Sequence, residues 1–151
     1  MRLIKLVLIS AVVFFLLLTA MSLLIPSNIR ISRAIDIRSA TNDVLPYLKD
    51  QSKWPMWNAY FRDSSKKFTV STISSTDSLV LTRWKAGDKI FQSGMAVYNQ
   101  VEGTVTVQWY FDFTLSWYPW EKIASIIYDS QLGAPMQESL TDLKTLVESN
   151  P

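Results

Sequence analysis

Apolar and polar positions change rhythm several times along this chain. Residues 6–25, LVLISAVVFFLLLTAMSLLI, form one run without a charge, preceded by Arg2 and Lys5 and ended by Pro26. A helix of about 20 residues rises roughly 30 Å, the thickness of a bilayer core. The few polar side chains in the run, Ser10, Thr19 and Ser22, can return their hydroxyls to helix carbonyls. A cleaved signal peptide has an apolar region of about 7–15 residues followed by small residues at the cut. Here Leu23, Leu24 and Ile25 continue past Ala20 and Ser22. The pattern therefore predicts a retained anchor over residues 1–25, with the bilayer as partner through residues 6–25, and one further domain over 26–151.

The next rhythm has period two. In IRISRAIDI (29–37), Ile29, Ile31, Ile35 and Ile37 share a face with Arg33, while Arg30, Ser32, Ala34 and Asp36 share the other. Alternation with β-branched residues predicts a strand. SATNDVLPYLKD follows, with Val44, Leu45 and Leu48 on one helical face. Asp43 is the expected N-cap, because Pro46 then falls in the first turn, where its missing N–H has no consequence. WPMWNAYF (54–61) reads as a second short helix from near Pro55.

Period two returns in FTVSTI (68–73), LVLTRW (79–84), IFQSGMAVY (90–98) and TVTVQWYFDF (104–113), separated by turn clusters at 74–77, 85–88 and 99–103. In the third, Phe91, Met95 and Val97 oppose Gln92, Gly94 and Tyr98. The fourth is the clearest, with Val105, Val107, Trp109, Phe111 and Phe113 on one face and Thr104, Thr106, Gln108, Tyr110 and Asp112 on the other. This is the signature of an antiparallel meander with one buried side. Pro119 opens a helical turn carrying Trp120, Ile123, Ile126 and Ile127. After Gly133, Met136, Leu140, Leu143 and Val147 recur at spacings of four, three and four, an amphipathic helix with one core-facing stripe. The fold class is α+β: a curved antiparallel sheet of about five strands with a long C-terminal helix packed across it, plus one N-terminal transmembrane helix.

Four stretches in this order resemble the START-like, Bet v 1-like superfamily, also described as SRPBCC or polyketide cyclase/dehydratase-like. They are Ile31-Ser32-Arg33-Ala34-Ile35-Asp36-Ile37, the pair Trp54 and Trp57, a strand opening at Gly103-Thr104 and carrying Val107 and Trp109, and a last helix with Leu140, Leu143-Lys144 and Glu148. The resemblance spans nearly all of residues 26–149 and implies a helix-grip fold. Such sheets usually have seven strands. Five are read here, and residues 62–67 (RDSSKK) are too short to hold another hairpin, so the sheet and any cavity are smaller. The resemblance also implies an apolar small molecule or lipid held between sheet and last helix. The candidate lining is Phe91, Met95, Trp109, Phe111, Phe113 and Leu140. Trp54, Trp57 and Tyr60 are the candidate rim, with Trp84, Trp117 and Trp120 as further aromatics that could reach it. The same rings also suit a filled core, since aromatic side chains dominate small cores. Arg33 is a candidate polar hook for a ligand headgroup. Its competing reading is a packed stem with the guanidinium reaching the sheet edge.

Composition narrows the chemistry. The 151 residues contain no Cys and no His, which removes disulfides, thiol chemistry and histidine-based triads or metal sites. No metal and no cofactor are expected. The net charge of +2 is scattered and shows no nucleic-acid stripe. Arg2 and Lys5 at a short N-terminal tail favour an N-in anchor with the domain outside the cytoplasm, against Arg30, Arg33 and Arg38 soon after the run. No nucleophile–base pair is visible. A non-catalytic, membrane-tethered binding module is the preferred reading, against a cyclase- or dehydratase-like enzyme and a structural or regulatory membrane protein with a filled core.

Overall fold

The computed structural model describes residues 2–62 and 67–149. The alternating segments form β1 (Asn28–Ile37), β2 (Thr69–Ser75), β3 (Leu79–Ala86), β4 (Lys89–Val101) and β5 (Thr104–Thr114). They pair as one antiparallel sheet in the order β1-β5-β4-β3-β2. Residues 63–66, within the stretch read as too short for a hairpin, lie outside the described residues.

The register joins the two strands with the strongest patterns. Ile31, Arg33, Ile35 and Ile37 stand opposite Phe111, Trp109, Val107 and Val105. Equal period and antiparallel pairing put both apolar sets on one face. The β3–β4 and β4–β5 turns are tighter than the clusters predict. Ala86 pairs with Lys89 and Val101 with Thr104, leaving two residues in each loop. Gly87 and Gly103 take positive φ, 61° and 75°, a conformation that favours glycine. On the outer face the Tyr110 ring lies across Gly94 so closely that a Cβ there would displace it. The Arg30 guanidinium stacks on that ring at 4.0 Å and pairs bidentately with Asp112.

Helices cover the other face. α1 (Arg2–Ser22) precedes the sheet and is exposed along most of its length. It is long and apolar enough to cross a membrane, a test that a signal sequence also meets. α2 (Thr41–Lys49) begins three residues before the expected start, so its N-cap is Ala40 and not Asp43. Asp43 stands in the first turn, where its carboxylate accepts from the Ser39 hydroxyl at 2.8 Å and the Ala40 N–H at 3.3 Å. Pro46 consequently lies beyond the first turn. Its missing N–H would have faced the carbonyl of Asn42, an exposed residue open to water.

WPMWNAYF divides into a 3₁₀ turn, Gln51–Met56, and α3 (Ala59–Arg62), in place of one helix. The Asp50 carboxylate starts the 3₁₀ turn by accepting from the Ser52 N–H and hydroxyl at 3.0 and 2.6 Å. The two indoles then reach back to the end of α2. Trp54 Nε1–H donates to the Leu48 carbonyl at 3.1 Å, and Trp57 Nε1–H to that of Tyr47 at 3.2 Å. Those carbonyls belong to the last turn of a helix, which lacks backbone partners. Both rings are thereby fixed as they enter the interior.

α4 (Pro119–Ala124) and a 3₁₀ turn, Ser125–Ile127, lead directly into α5 (Tyr128–Ser149). The last helix therefore starts before Gly133 rather than after it. Gly133 does not break the helix; the Arg33 guanidinium occupies the space where its Cβ would stand. Met136, Leu140, Leu143 and Val147 are all buried, and α5 packs chiefly over β1.

Candidate functional site

The inward face of the sheet and the short helices build a continuous aromatic interior. Trp54, Trp57, Trp84 and Trp109 are all 0% exposed. Trp84 is central, with ring centroids of Trp54, Tyr60, Phe61, Phe68, Phe91, Trp109 and Phe111 between 5.2 and 6.2 Å away. Every buried indole N–H has a partner within the protein. Besides the two contacts to α2, Trp84 donates to Thr82 Oγ1 at 3.0 Å and Trp109 to Ser93 Oγ at 2.7 Å. Tyr60 donates its hydroxyl to the Leu132 carbonyl at 2.9 Å, and burial pushes its phenol pKa well above the tyrosine range.

Among the candidate lining residues, Met95, Trp109, Phe111 and Leu140 are buried, whereas Phe91 and Phe113 are only half-buried. The candidate rim residues Trp54, Trp57 and Tyr60 lie in the interior with the first group. Trp117 and Trp120 are elsewhere, exposed before and on α4. Arg33 stands apart as well. Its guanidinium passes over Gly133, donates to the Ser32 carbonyl at 2.8 Å and pairs with Asp129 at 3.0 Å. The hydrogen bond from Arg33 holds the Asp129 carboxyl below its ordinary pKa.

The two half-buried phenylalanines belong to a cleft of about 210 Å³ at one end of the grip. Phe91 and Phe113 form its apolar floor, ring centroids 4.8 Å apart, and Tyr128 continues the surface 5.5 Å from Phe113. Polar groups stand around it: Lys89 Nζ donates to the Tyr128 hydroxyl at 3.1 Å, and Asp88 and Glu121 also line it. Glu121 accepts from the Ser116 N–H at 3.2 Å. A larger hollow of about 360 Å³ lies at the β4–β5 turn, lined by Ser39–Thr41 and residues 99 and 101–105, and contains none of the candidate residues.

The cleft adjoins the exit of α1. The Leu115 N–H donates to the Ser27 carbonyl at 2.7 Å, so the end of β5 is tied to the residue before β1. Lys122, buried on α4, donates to the Ile25 carbonyl at 3.1 Å, and Ser22 is buried at the junction of α1 and α4.

Sequence reasoning omitted several of these residues. Thr82 and Ser93 read as ordinary polar members of strands, yet they satisfy the two sheet indoles. Asn58 is 0% exposed, caps α3 through the Tyr60 N–H, and has the one buried side-chain polar atom, Nδ2, without a partner among the described residues. Lys89, Tyr128 and Lys122 carry no local motif; only the topology brings them to one end.

No family model and no curated protein matches this chain. Solved structures do. A START superfamily protein from Mycobacterium smegmatis superposes with a TM-score of 0.62 at 11% identity, over 81% of this chain and 99% of that one. The di-domain ARO/CYC StfQ from the steffimycin biosynthetic pathway gives 0.61 at 11% identity, over 81% of this chain and 51% of its own. A norcoclaurine synthase from Thalictrum flavum gives 0.60 at 7% identity, over 80% and 94%. The fold is a START-like helix grip. At these identities the likeness extends to the fold alone. Within it, the five-stranded grip of this chain sets a packed aromatic interior beside a shallow, partly apolar cleft.

Proposed function

We propose that this protein is a membrane-tethered, non-catalytic binding module that receives an apolar or aromatic group at the cleft of Phe91, Phe113 and Tyr128. The observation that carries the reading is the division of the inward-facing aromatics. Trp54, Trp57, Tyr60, Trp84, Trp109 and Phe111 are buried against one another with their N–H and O–H groups satisfied, while Phe91 and Phe113, half-buried like Phe61 and Phe68, line a cleft beside polar groups. Apolar pockets with a few convergent polar groups are the usual ligand sites. The cleft is smaller than the roughly 300–1,000 Å³ of drug-sized pockets, so it suits one ring or one end of an acyl chain. Retention of α1 places the module on a membrane. Leu23, Leu24 and Ile25 extend its apolar run beyond the length of a signal-peptide core. A cyclase-like reaction would need an acid or base free to reach a substrate. At the cleft the Tyr128 hydroxyl accepts from Lys89 and Glu121 accepts from the Ser116 N–H, and in the interior Tyr60 is committed to the Leu132 carbonyl; Asp88 is the cleft carboxylate that the enzyme reading would use. The filled-core reading, a structural or regulatory membrane protein, is favoured by the complete burial of four tryptophans.

Fluorescence titration with a fatty-acid probe on the 27–151 fragment separates these readings. The binding module predicts saturable binding that weakens about tenfold, some 1.4 kcal/mol, in Phe113→Ala with the fold intact by circular dichroism. Absence of saturable binding in the folded wild type would leave the filled core as the function-neutral account.

A further inference from the structure

We infer that the segment 117–127 is a second membrane contact, an aromatic shelf that lies in the bilayer interface beside the end of α1. This rests on the reading of α1 as a retained anchor. Six tryptophans occur in the chain. Four are wholly buried, but Trp117 is 70% and Trp120 62% exposed. They are joined through Tyr118 into one stack, with centroids 4.8 and 4.9 Å apart. Ile126 and Ile127 are exposed on the following turn. Such a grouping is unusual on a surface that faces only water.

Its position selects the occupant. α4 packs on the C-terminal end of α1, and the Lys122 ammonium donates to Ile25 there. A cation at a helix C-terminus is favoured by the helix dipole, so the contact holds the shelf at one level relative to the anchor. That level is where the apolar run meets the domain. Leu23 and Leu24, the last leucines of the run, are exposed at the same junction. The shelf is thus continuous with the surface that α1 offers to lipid. Tryptophan and tyrosine concentrate at this depth, where the ring is apolar and the N–H or O–H meets the headgroups. The occupant is the lipid interface. Two attachments would limit tumbling of the domain about a single helix and keep the Phe91–Phe113 cleft close to the bilayer.

The test uses the full chain in phosphatidylcholine vesicles made with lipids brominated near the headgroup end of the acyl chain. The wild type is compared with a Trp117→Phe/Trp120→Phe variant. We expect the emission assigned by difference to Trp117 and Trp120 to be lost to the brominated lipid and protected from aqueous iodide. Quenching by iodide but not by bromolipid, in chain that remains with the vesicles after carbonate extraction, would overturn the shelf while leaving the anchor intact. Loss of the chain from the vesicles on extraction would overturn the anchor and the shelf with it. Protection from both quenchers with a dimer in the bilayer would show that a second copy covers the rings, and would also overturn the proposal.

Discussion

Trp84→Ala is expected to cause the largest loss of stability of any single truncation in the domain. The indole is 0% exposed and meets seven other rings. Truncating a buried tryptophan costs about 3–5 kcal/mol through lost transfer energy and the cavity left behind. The rings around Trp84 come from β4, β5, the 3₁₀ turn, α3 and the approach to β2, so no single element can move to fill the gap. Domains of this kind are stable by roughly 5–15 kcal/mol, and the loss is a large part of that. Thermal melts of the 27–151 fragment should show a fall well beyond that of Trp120→Ala, whose ring is 62% exposed. Equal shifts for the two would contradict the packed interior.

The second large effect concerns the helix that closes the grip. Leu140→Asp and Leu143→Asp place a carboxylate at positions that are 0% exposed. Deleting a buried leucine costs about 2–5 kcal/mol, and an unpaired buried charge adds several more or forces protonation. Each variant is expected to unfold the domain or bring it to the edge of folding. Asp142→Ala, between them in sequence, is the control. Asp142 is partly exposed and pairs with Arg62, an ion pair of the surface class worth about 0–1 kcal/mol. A denaturant series should therefore separate the two leucines from the aspartate by several kcal/mol. Similar midpoints for all three would mean that another face of α5 meets the sheet.

How far the fold was legible depends on how local its causes are. The alternation of Val105, Val107, Trp109, Phe111 and Phe113 needs only the pleat to be read, and those residues do face inward. The stripe of Met136, Leu140, Leu143 and Val147 needs only the helical period. The start of α5 was not legible, because Gly133 and Pro135 together look like a break. Gly133 makes room for a guanidinium that arrives from β1, and Pro135 loses a bond only to the carbonyl of Gln131, an exposed residue. Neither fact is local. The cap of α2 failed for a similar reason: Asp43 has the chemistry of a cap, but it supports the Ala40 N–H from inside the first turn. The tryptophan pair of WPMWNAYF announced aromatic area and left its use open; the use became visible when both indoles were seen to close the carbonyls that end α2. The candidate lining was readable as one face of two strands with Leu140 from the stripe of α5. Which of its members keep open surface was not, since that depends on Lys89, Tyr128 and Glu121, which topology collects from three separate elements.

Any ligand is expected to meet Phe91 and Phe113 at the cleft they form with Tyr128, and not the interior where Phe61 and Phe68 pack on Trp84. Fluorine NMR of the 27–151 fragment, labelled with fluorophenylalanine and titrated with a fatty acid, tests it most directly, because the five phenylalanines of that fragment report on both regions. The account predicts saturable shifts led by Phe113 and followed by Phe91, which meets both Phe113 and Trp84, while Phe61 and Phe68 stay in place. Saturable shifts led by Phe61 and Phe68 with Phe91 and Phe113 unmoved would contradict it.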